Sequence, residues 1–440
     1  MRKNVFFIIF IAVFLAISLT LSVGMAVFGE SQAGANERLS DAPELKSKEE
    51  KLNMDYLSEL RSWVNDRFFL RQELISLDNR LSVAAFGTSG ADSVIVGKDG
   101  WLYYADTLND FTGLEPMTDR ELFSAAKNVS LMAEYCRENG KDFTFVIAPN
   151  KNSLYPAYMP DYGVTATATN AQRLMAMLAD VKTVDLFSAF RAEEEELYFA
   201  HDSHWNSKGA ALGADLINAS FGVESDYYSG DFSKTEPHEG DLYAMVYPAL
   251  KDAEENPVYG GGLSYTFTSK ATKPDSITLE TAGEGTGRLL AYRDSFGILL
   301  FPYLADSFET AKFSRSTSYD LTEQADHILV ELVERNLSYL ITYVPVIASP
   351  VRDIAIPESI SGEIDVTLLP KAKAPEGLVL ADGELPQTPD ADSCIYLVCG
   401  GNAYEAFCTA TGYSVYIPEG TSPEYLVYTV NDAMLTYEIK

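Results

Sequence analysis

The residues best suited to chemistry lie in one short stretch, where Asp202 and His204 are separated by a single residue. In an extended segment, side chains two positions apart point to the same face, and a carboxylate placed there can orient an imidazole as a general base. Such a base needs a nucleophile to activate, and the best candidate is Ser295, within residues 293–297. We therefore interpret these residues as a nucleophile, its base, and the acid that orients the base.

The remaining histidines and the neighbouring serine are interpreted differently. His201 is a rival base, but Asp202 follows it directly and cannot share its face in a strand. By the same alternation, Ser203 points away from the predicted pair. His238 and His327 are interpreted as structural residues. No metal site is expected, because the histidines do not cluster with carboxylates at ligand spacing outside this one stretch.

Ser295 falls where a predicted strand, residues 289–292, is followed by a predicted helix, residues 296–304. Such a junction presents a nucleophilic hydroxyl at the edge of a sheet, with helix amides facing the developing oxyanion. The backbone amide of Phe296 is the predicted oxyanion donor. The stretch lacks the G-x-S-x-G pattern of α/β-hydrolases, and Ser295 taken alone also fits a helix N-cap.

Four further residues are candidates for contact with the substrate or the oxyanion. Asn150 and Lys151 follow the buried-type strand 143–148, at the edge where open α/β sheets place their sites. Arg315 and Tyr319 follow a later predicted strand. An exposed loop is the alternative interpretation for that second pair.

Strands and helices alternate from about residue 90 to residue 345, which implies an α/β fold with a mainly parallel sheet flanked by helices. Residues 222–285 are irregular and are interpreted as an insertion or lid. The clearest local signals are helical patterns in 54–84, 168–180 and 207–220, a hairpin in 97–104, a strand in 181–187, and a capping box at Thr118 that opens a helix to about Asn139.

The N-terminus carries a long apolar run. Arg2 and Lys3 precede uncharged residues as far as Gly29. This run is longer than a signal-peptide core of about 7–15 residues and close to the roughly 20 residues that span a bilayer. We favour an uncleaved single-pass membrane anchor with the rest of the chain outside the cell. A cleaved signal peptide, and hence a secreted protein, is the alternative.

These patterns divide the chain into four segments. They are residues 1–29 as anchor or signal peptide, 30–89 as a stalk with juxtamembrane helices, 90–364 as the catalytic domain, and 365–440 as a small C-terminal β-rich module. The last segment has short apolar runs split by turn sequences, which is typical of β-structure.

The net charge limits the possible partners of the protein, and the cysteine positions indicate which thiols could form a disulfide. The net charge of −31 argues against nucleic-acid binding, which needs basic patches to neutralise phosphate. Cys136 lies in a predicted helix and is expected to be a small buried apolar residue. Cys394, Cys399 and Cys408 cluster near the C-terminus, and a disulfide among them is possible in an oxidising compartment.

Several motifs in order along the chain resemble one known family. Residues 202–206, followed by Lys208 and Gly209 and later by residues 294–296, are similar to the alginate O-acetyltransferase-like branch of the SGNH hydrolases, and most similar to its DHHW family. Further similar segments are residues 65–68, 97–104, 148–151, 155–156 with Pro160, 240–242 and 333–336. The resemblance covers about residues 55–345 and does not include the C-terminal module.

The resemblance implies an SGNH-like fold and a triad in which Ser295 is the nucleophile, His204 the base and Asp202 its orienting acid. The family name implies a histidine where this chain has Ser203, which the alternation argument makes tolerable. The implied activity is acetyl transfer outside the membrane, through an acyl-serine, to hydroxyls of a cell-surface or secreted polysaccharide. A multi-pass membrane acyltransferase is the implied acetyl donor, and no cofactor is expected. A secreted carbohydrate acetylesterase and a noncatalytic scaffold with an SGNH-like fold are the alternatives.

Overall fold

The structure of this protein is a computed structural model that describes residues 2–34, 37–46, 51–163, 167–369 and 374–440. Parts of the predicted segments, namely residues 1, 35–36, 47–50, 164–166 and 370–373, therefore lie outside the described residues. The division of the chain into four segments stays a prediction.

The helices of the described chain range from single turns to long elements. They are α1 (Arg2–Phe28), α2 (Tyr56–Arg67), α3 (Arg71–Phe86), α4 (Leu108–Thr112), α5 (Asp119–Glu138), α6 (Lys151–Leu154), α7 (Asn170–Met177), α8 (Leu186–Arg191), α9 (Ser207–Ser220), α10 (Asp241–Val246), α11 (Gly297–Ser307) and α12 (Tyr339–Thr342).

The strands group into one central sheet, two C-terminal sheets and two hairpins. They are β1 (Val94–Val96), β2 (Leu102–Tyr104), β3 (Asp142–Ala148), β4 (Thr183–Val184), β5 (Lys234–His238), β6 (Glu254–Val258), β7 (Thr266–Phe267), β8 (Thr278–Ala282), β9 (Arg288–Tyr292), β10 (Thr310–Ser314), β11 (His327–Val333), β12 (Val351–Arg352), β13 (Ile360–Ile364), β14 (Thr367–Leu369), β15 (Leu378–Glu384), β16 (Tyr396–Cys399), β17 (Asn402–Glu405), β18 (Phe407–Cys408), β19 (Gly412–Pro418), β20 (Pro423–Val430) and β21 (Ala433–Ile439).

The central sheet has the strand order β4-β3-β11-β9-β10-β8-β7 among the described residues. The five strands from β4 to β10 pair in parallel, and β8 and β7 add an antiparallel edge. The predicted α/β architecture with a mainly parallel sheet is therefore confirmed. Because parallel strands point the same way, the ends of β3, β9 and β11 meet at one edge of this sheet.

Both faces of the central sheet are buried, which explains its apolar strands. Successive side chains of a strand point to opposite faces. Thus Phe145 and Ile147 of β3 enter the apolar cluster beneath α5 and α7, whereas Val146 and Ala148 enter the cluster beneath α9 and α11. This packing fixes the position of the strand ends relative to the helices on both faces of the sheet.

The structure confirms the predicted starts of helices α5 and α9, but it does not confirm the full length of one predicted strand. Thr118 forms the predicted capping box with Glu121 at the start of α5, and Asn206 caps α9 by accepting from two backbone amides of its first turn. The predicted strand 181–187 is wrong over its second half. Asp185 accepts from the amide of Ser188 and starts α8, so only Thr183–Val184 pairs with β3.

The N-terminal part of the described chain is helical. Residues 54–84 form α2 and α3, which are separated at Leu70, a residue with φ of 61°. Helix α1 covers most of the predicted anchor. Within the described ranges, no helix is both long and apolar enough to cross a membrane, so the predicted anchor has no support there.

The C-terminal part is β-rich, as predicted, although its sheets begin earlier than residue 365. A six-stranded sheet includes β12, which starts at Val351, and a four-stranded sheet contains β15 and β19. Asn128 of α5 exchanges hydrogen bonds of 2.8 and 2.9 Å with the backbone of Cys408, which attaches these sheets to the central domain. All four cysteines, which lie within the described residues, are free thiols. The possible disulfide is therefore not formed.

Candidate active site

Ser295 lies in a tight turn between β9 and α11, as the sequence predicts. The preceding carboxylate, Asp294, accepts hydrogen bonds from the amide of Phe296 at 2.9 Å and from the amide of Val333 at 2.8 Å. The side chain of Asn336 donates to the same carboxylate at 3.0 Å. Asp294 therefore shapes the nucleophile turn and ties it to the end of β11.

A buried acid supports this turn from below. Glu331 of β11 accepts from the amide of Asp294 at 3.2 Å, and its side chain is inaccessible to solvent. Burial raises the pKa of Glu331 well above its ordinary value, and the nearby charge of Asp294 raises it further. Arg293 is also buried beside the turn, and a Cβ at position 297 would approach its side chain to 2.5 Å. Gly297 is therefore required by close approach rather than by an unusual φ.

The structure brings the three residues of the predicted triad together. Ser295 Oγ lies 2.8 Å from His204 Nε2, and His204 Nδ1 lies 2.7 Å from Asp202 Oδ1. An ionised carboxylate can only accept, so Nδ1 carries the proton and Nε2 is left to accept the serine hydroxyl. This arrangement can take a proton from a serine during attack on a carbonyl. The catalytic roles of the three residues stay predictions.

Trp205 joins the two halves of the site. We call residues 199–205 the base loop. The buried indole of Trp205 donates to the carbonyl of Phe296 at 3.1 Å, and the Phe296 ring packs against the His204 imidazole with centroids 4.8 Å apart. A direct hydrogen bond therefore holds the base loop in a fixed position relative to the turn that carries Ser295.

The carboxylate of Asp202 is shared by two histidines. Its Oδ2 atom accepts from His238 Nε2 at 2.8 Å and from the amide of Asp241 at 3.0 Å. Burial would raise the pKa of Asp202, but the hydrogen bonds from His204 and His238 outweigh it and hold the pKa well below its ordinary value. The interpretation of His238 as merely structural is corrected, because it contacts the acid that orients the base.

The environment of His238 is acidic. Burial alone would lower the pKa of this imidazole, but the hydrogen bond to Asp202 and the charges of Asp202, Glu254 and Asp241 raise it. The ring also stacks on Phe199, with centroids 3.9 Å apart. His238 is thus held in place on one face by an aromatic ring and at Nε2 by a carboxylate.

The base loop is a turn rather than a strand, which corrects the prediction for Ser203. The only ladder contact of this loop in the described structure is an isolated bridge between Tyr198 and Trp205. Ser203 Oγ therefore does not point away from the site. It donates to Asp241 Oδ2 at 2.8 Å and lies 3.2 Å from His204 Nδ1.

His201 lies outside the catalytic arrangement. Its Nδ1 is 3.0 Å from a carboxylate oxygen of Asp252. Its backbone amide and that of Ala200 each donate at 2.7 Å to the carboxylate of Glu254. The rival base is thus directed toward a different acid, and Glu254 clamps the start of the base loop.

Lys151 supports the base loop from inside the protein. Its ammonium donates to the backbone carbonyls of Phe199, Ala200 and Asp202 at 2.9, 2.9 and 2.7 Å. Burial lowers the pKa of Lys151 to about 7, although nearby acids oppose this shift. The expected contact of Lys151 with substrate is corrected, because its three N–H groups are all used to hold the loop.

The other residues that were predicted to contact the substrate or the oxyanion do not all lie together. The Phe296 amide donates to Asp294, so it is not a free oxyanion donor. Arg315 and Tyr319 line a smaller cavity of about 270 Å³ that also reaches Ser295. Tyr319 is buried, and within the described residues its hydroxyl has no hydrogen-bond partner.

Asn150 is fully enclosed at the end of β3. Its backbone amide donates to Glu334 at 3.0 Å. Neither polar atom of its side chain finds a hydrogen-bond partner in the part of the chain that the structure describes. A buried amide group left unpaired is costly, so the side chain of Asn150 requires a partner that the described residues do not supply.

A larger cavity of about 840 Å³ opens in front of the nucleophile. One wall contains Ser295, His204 and Ser203. Residues of the N-terminal part of the chain line the same cavity. This volume lies within the roughly 300–1,000 Å³ of typical ligand sites.

The site also offers donor atoms that a metal ion could use. Ligand atoms of Asp202, His204 and Asp241 lie within 4.8 Å of one another. However, His204 Nδ1 is engaged with Asp202, and Asp241 Oδ2 accepts from Ser203. A metal on Nδ1 would replace the hydrogen bond that orients the base. The donor set therefore suits proton transfer better than metal binding.

Sequence reasoning gave no role in the site to three residues that matter here, and all three lie in the irregular segment 222–285. His238, Asp241 and Glu254 surround the base loop, although each is distant from it in sequence. The available signal was a histidine followed three residues later by an acid. That signal is weak in a chain with 64 acidic residues.

Comparison with protein families and structures agrees with the resemblance predicted from the sequence. The profile of the family described as "SGNH hydrolase-like domain, acetyltransferase AlgX" matches residues 94–261. This match includes Asp202 and His204 and ends before Ser295. A comparison with curated proteins finds no match.

Three solved structures are similar to part of this chain. A DHHW family protein from Eubacterium siraeum is 19% identical, with 56% of this chain and 91% of that chain covered and a TM-score of 0.41. PatB1 from Bacillus cereus, solved with a sulfonyl adduct, is 17% identical, with 56% and 97% covered and a TM-score of 0.41. The O-acetyltransferase domain of Pseudomonas putida AlgJ is 15% identical, with 56% and 92% covered and a TM-score of 0.37. At these scores the likeness is too loose to transfer the position of any site residue.

Proposed function

We propose that this protein transfers an acyl group, in the first instance acetyl, to hydroxyls of a polysaccharide outside the cytoplasm through an acyl-serine at Ser295. The observation that carries the proposal is the continuous hydrogen-bond chain from Ser295 Oγ through His204 to Asp202. The match to an acetyltransferase family supports acetyl as the group transferred.

The first half-reaction forms the acyl-serine. Ser295 Oγ attacks the carbonyl carbon of a donor ester while its proton passes to His204 Nε2. The imidazolium that results is stabilised by Asp202. As the tetrahedral intermediate collapses, the donor's ester bond breaks and His204 returns the proton to the departing oxygen. The acyl group is then bonded to Ser295.

The second half-reaction uses the same groups in the reverse direction. A sugar hydroxyl in the cavity gives its proton to His204 Nε2 and attacks the acyl-serine carbonyl. The bond to Ser295 Oγ breaks, and His204 reprotonates the serine. If water enters instead of the sugar, the same chemistry is an acetylesterase. The competing activities therefore differ only in which hydroxyl is held before the acyl group.

The oxyanion requires donors other than the amide of Phe296. We assign this role to the backbone amide of Ser295, which has no acceptor among the described residues, and to the side-chain N–H of Asn150. Removing one such donor costs about 10²–10³-fold in kcat in a serine hydrolase. Arg315 and Tyr319 line the smaller cavity, where we place the acyl group or the donor.

The partners follow from the same proposal. The acceptor is a polysaccharide, and the acetyl donor is a multi-pass membrane acyltransferase. The resemblance to acetyltransferases supports both assignments.

Substitution of the nucleophile tests the proposal. We expect Ser295→Ala to lower turnover of p-nitrophenyl acetate, and transfer to oligosaccharides, by about 10⁴-fold or more. Ser58→Ala is the matched control, because Ser58 is exposed on α2 and lines neither of the two cavities that reach Ser295. Mass spectrometry should also locate a sulfonyl fluoride adduct on Ser295. Undiminished activity of Ser295→Ala, or no adduct at Ser295, would refute the proposal.

A further inference from the structure

The catalytic cavity has a second wall that the chemistry described above does not use. It consists of Gly34, Glu37, Arg71, Gln72 and Ile75, which we call the N-terminal wall. These residues precede the segment 94–261 that matches the acetyltransferase family. They line the same cavity as Ser295 and His204.

The loop part of the N-terminal wall is built by specific polar contacts. Arg71 Nη1 donates to Glu37 Oε2 at 3.0 Å, and the same carboxylate oxygen accepts from the amide of Gly34 at 2.9 Å. Gln72 Nε2 donates to the carbonyl of Gln32 at 2.7 Å. The segment before α2 is therefore held against α3 rather than free in front of the cavity.

Helix α3 is in turn fixed to the catalytic domain. Its two buried side chains are Ser76 and Asn79. Asn79 Nδ2 donates to the carbonyl of Val246 at 2.7 Å, and Ser76 Oγ accepts from the amide of Ala249 at 2.9 Å. Because α10 ends at Val246 and begins at Asp241 beside the triad, the N-terminal wall and the catalytic residues share one frame.

The polar groups of this cavity suit hydroxyls. Gln72 Oε1 is shielded from solvent and has no hydrogen-bond partner in the described structure, so it can accept from a ligand O–H. The Arg71–Glu37 pair offers a donor and an acceptor side by side. Arg335, the other cation of the cavity, is directed over aromatic rings, 5.4 Å from the centroids of Tyr104 and Phe296.

The charge of the cavity does not suit an anionic ligand. Two arginines line it, together with three carboxylates: Glu37, Asp106 and Asp241. Arg71 is already neutralised by Glu37. A polyanionic chain would therefore meet no unpaired positive charge on the N-terminal wall, whereas a neutral chain of sugars would meet both donors and acceptors.

We propose that the N-terminal wall is the acceptor subsite of the enzyme and that it binds a neutral glycan. This inference rests on the proposed function and specifies its acceptor. The smaller cavity, which also reaches Ser295, is left for the acyl group. The N-terminal part of the chain thus selects the acceptor, while the residues that perform acyl transfer belong to the central domain.

The test compares a small ester with a sugar ester. An enzyme that acetylates a sugar hydroxyl must bind the acetylated sugar in the same subsite for the reverse step. We would measure kcat/KM for p-nitrophenyl acetate and for acetylated xylo-oligosaccharides. Ile75→Trp should lower the ratio of sugar ester to small ester by about tenfold or more, and Gln72→Ala by about 3- to 10-fold through one lost hydrogen bond. Leu77→Trp, an exposed position on α3 outside the cavity, should leave the ratio unchanged.

Acetylated oligogalacturonides, which are anionic, give a second comparison. They should be poorer substrates than the neutral oligosaccharides by about tenfold at low salt, because the cavity lining carries more acids than arginines. An unchanged ratio in both Ile75→Trp and Gln72→Ala would overturn the inference. So would a wild-type enzyme that cleaves p-nitrophenyl acetate but neither sugar ester, or that prefers the anionic one. Failure of the proposed function is separate, since it would show as p-nitrophenyl acetate activity that survives in Ser295→Ala.

Discussion

His238 is the residue whose substitution tests the geometry of the site most directly. It donates to the same carboxylate that orients His204, so it is a positioning residue and does not touch the reacting atoms. Two substitutions separate its contributions. His238→Gln keeps an uncharged N–H donor near the position of Nε2, whereas His238→Ala removes both the donor and the charge.

The magnitude follows from the contacts of Asp202. Its carboxylate accepts four hydrogen bonds, two from His204, one from His238 and one from the amide of Asp241. Losing one hydrogen bond to a charged group costs about 1.5–3 kcal/mol. If all of this free energy is lost from the stabilisation of the transition state, kcat falls roughly 10- to 150-fold in His238→Ala. His238→Gln should stay within about threefold of wild type at high pH, because the donor is kept.

The positive charge of protonated His238 has a separate effect, which is measurable in the pH dependence of kcat. When both imidazoles are protonated they repel each other across one carboxylate. At a separation of roughly 6 Å and an effective dielectric constant of about 20–80, this repulsion is about 0.7–2.8 kcal/mol. Removing the charge should therefore move the acid limb of the kcat profile upward by about 0.5–2 pH units. The carboxyls of Asp241 and Glu254 also face His238, so the lower half of this range is expected.

The assay combines kinetics with a direct titration. We would measure kcat for p-nitrophenyl acetate from about pH 5 to about pH 9, and follow the ¹⁵N imidazole signals of the four histidines. His327→Gln is the matched control, because His327 begins β11 at the edge of the sheet opposite Ser295. An acid limb that does not move in His238→Gln, together with unchanged kcat in His238→Ala, would refute the reasoning.

Stability should follow pH with a defined sign. The folded pKa of His238 is raised above its unfolded value of about 6.5. Its contribution to the free energy of unfolding is therefore fully present below about pH 6.5 and is lost as pH rises through the folded pKa. Urea unfolding of wild type and His238→Gln across this window should show the smaller pH dependence in the variant.

Three further substitutions test the supports of the site. Asn150→Ala should lower kcat by about 10²-fold with little change in KM, because it removes a proposed oxyanion donor; steady-state kinetics on p-nitrophenyl acetate measures both. Lys151→Met should lower the free energy of unfolding by about 3 kcal/mol or more in urea titrations, because three buried carbonyls each lose a partner at about 1–3 kcal/mol. Glu331→Gln should keep near wild-type kcat at pH 7, because the amide oxygen of glutamine can still accept from the amide of Asp294, whereas Glu331→Ala should lower the melting temperature.

Each of these expectations has an outcome that contradicts it. Asn152→Ala is the control for Asn150, because Asn152 donates to Thr107 and belongs to the same buried turn. Equal kinetic losses in both variants would indicate a structural role only. A Lys151→Met protein as stable as wild type, or a Glu331→Gln protein without activity, would contradict the roles given to those residues.

Sequence reasoning predicted the local parts of the site well. The position of Ser295 between a strand and a helix follows from an apolar run ending at Tyr292 and a helical pattern after it. The capping box at Thr118 predicted the start of α5. These features depend on residues close together in the chain, and local hydrogen bonding and hydrophobic periodicity specify them.

Other expectations were wrong because local pattern does not determine backbone shape. The base loop was expected to be extended, which would turn Ser203 away from the site. Lys151 instead binds three of its carbonyls, and Glu254 binds two of its amides. Backbone groups that would otherwise need a strand partner are satisfied by distant side chains, so the loop forms a turn.

The sequence by itself determined which residue types could form a nucleophile, base and acid, and that Ser295 lies between a strand and a helix. Only the tertiary structure decided that Asp202 is shared with His238, that the amide of Phe296 is engaged by Asp294, and that the N-terminal wall lines the same cavity as Ser295. The physical reason is that buried polar groups must find partners. In this protein, residues from the irregular segment 222–285 and from α3, far away along the chain, supply those partners.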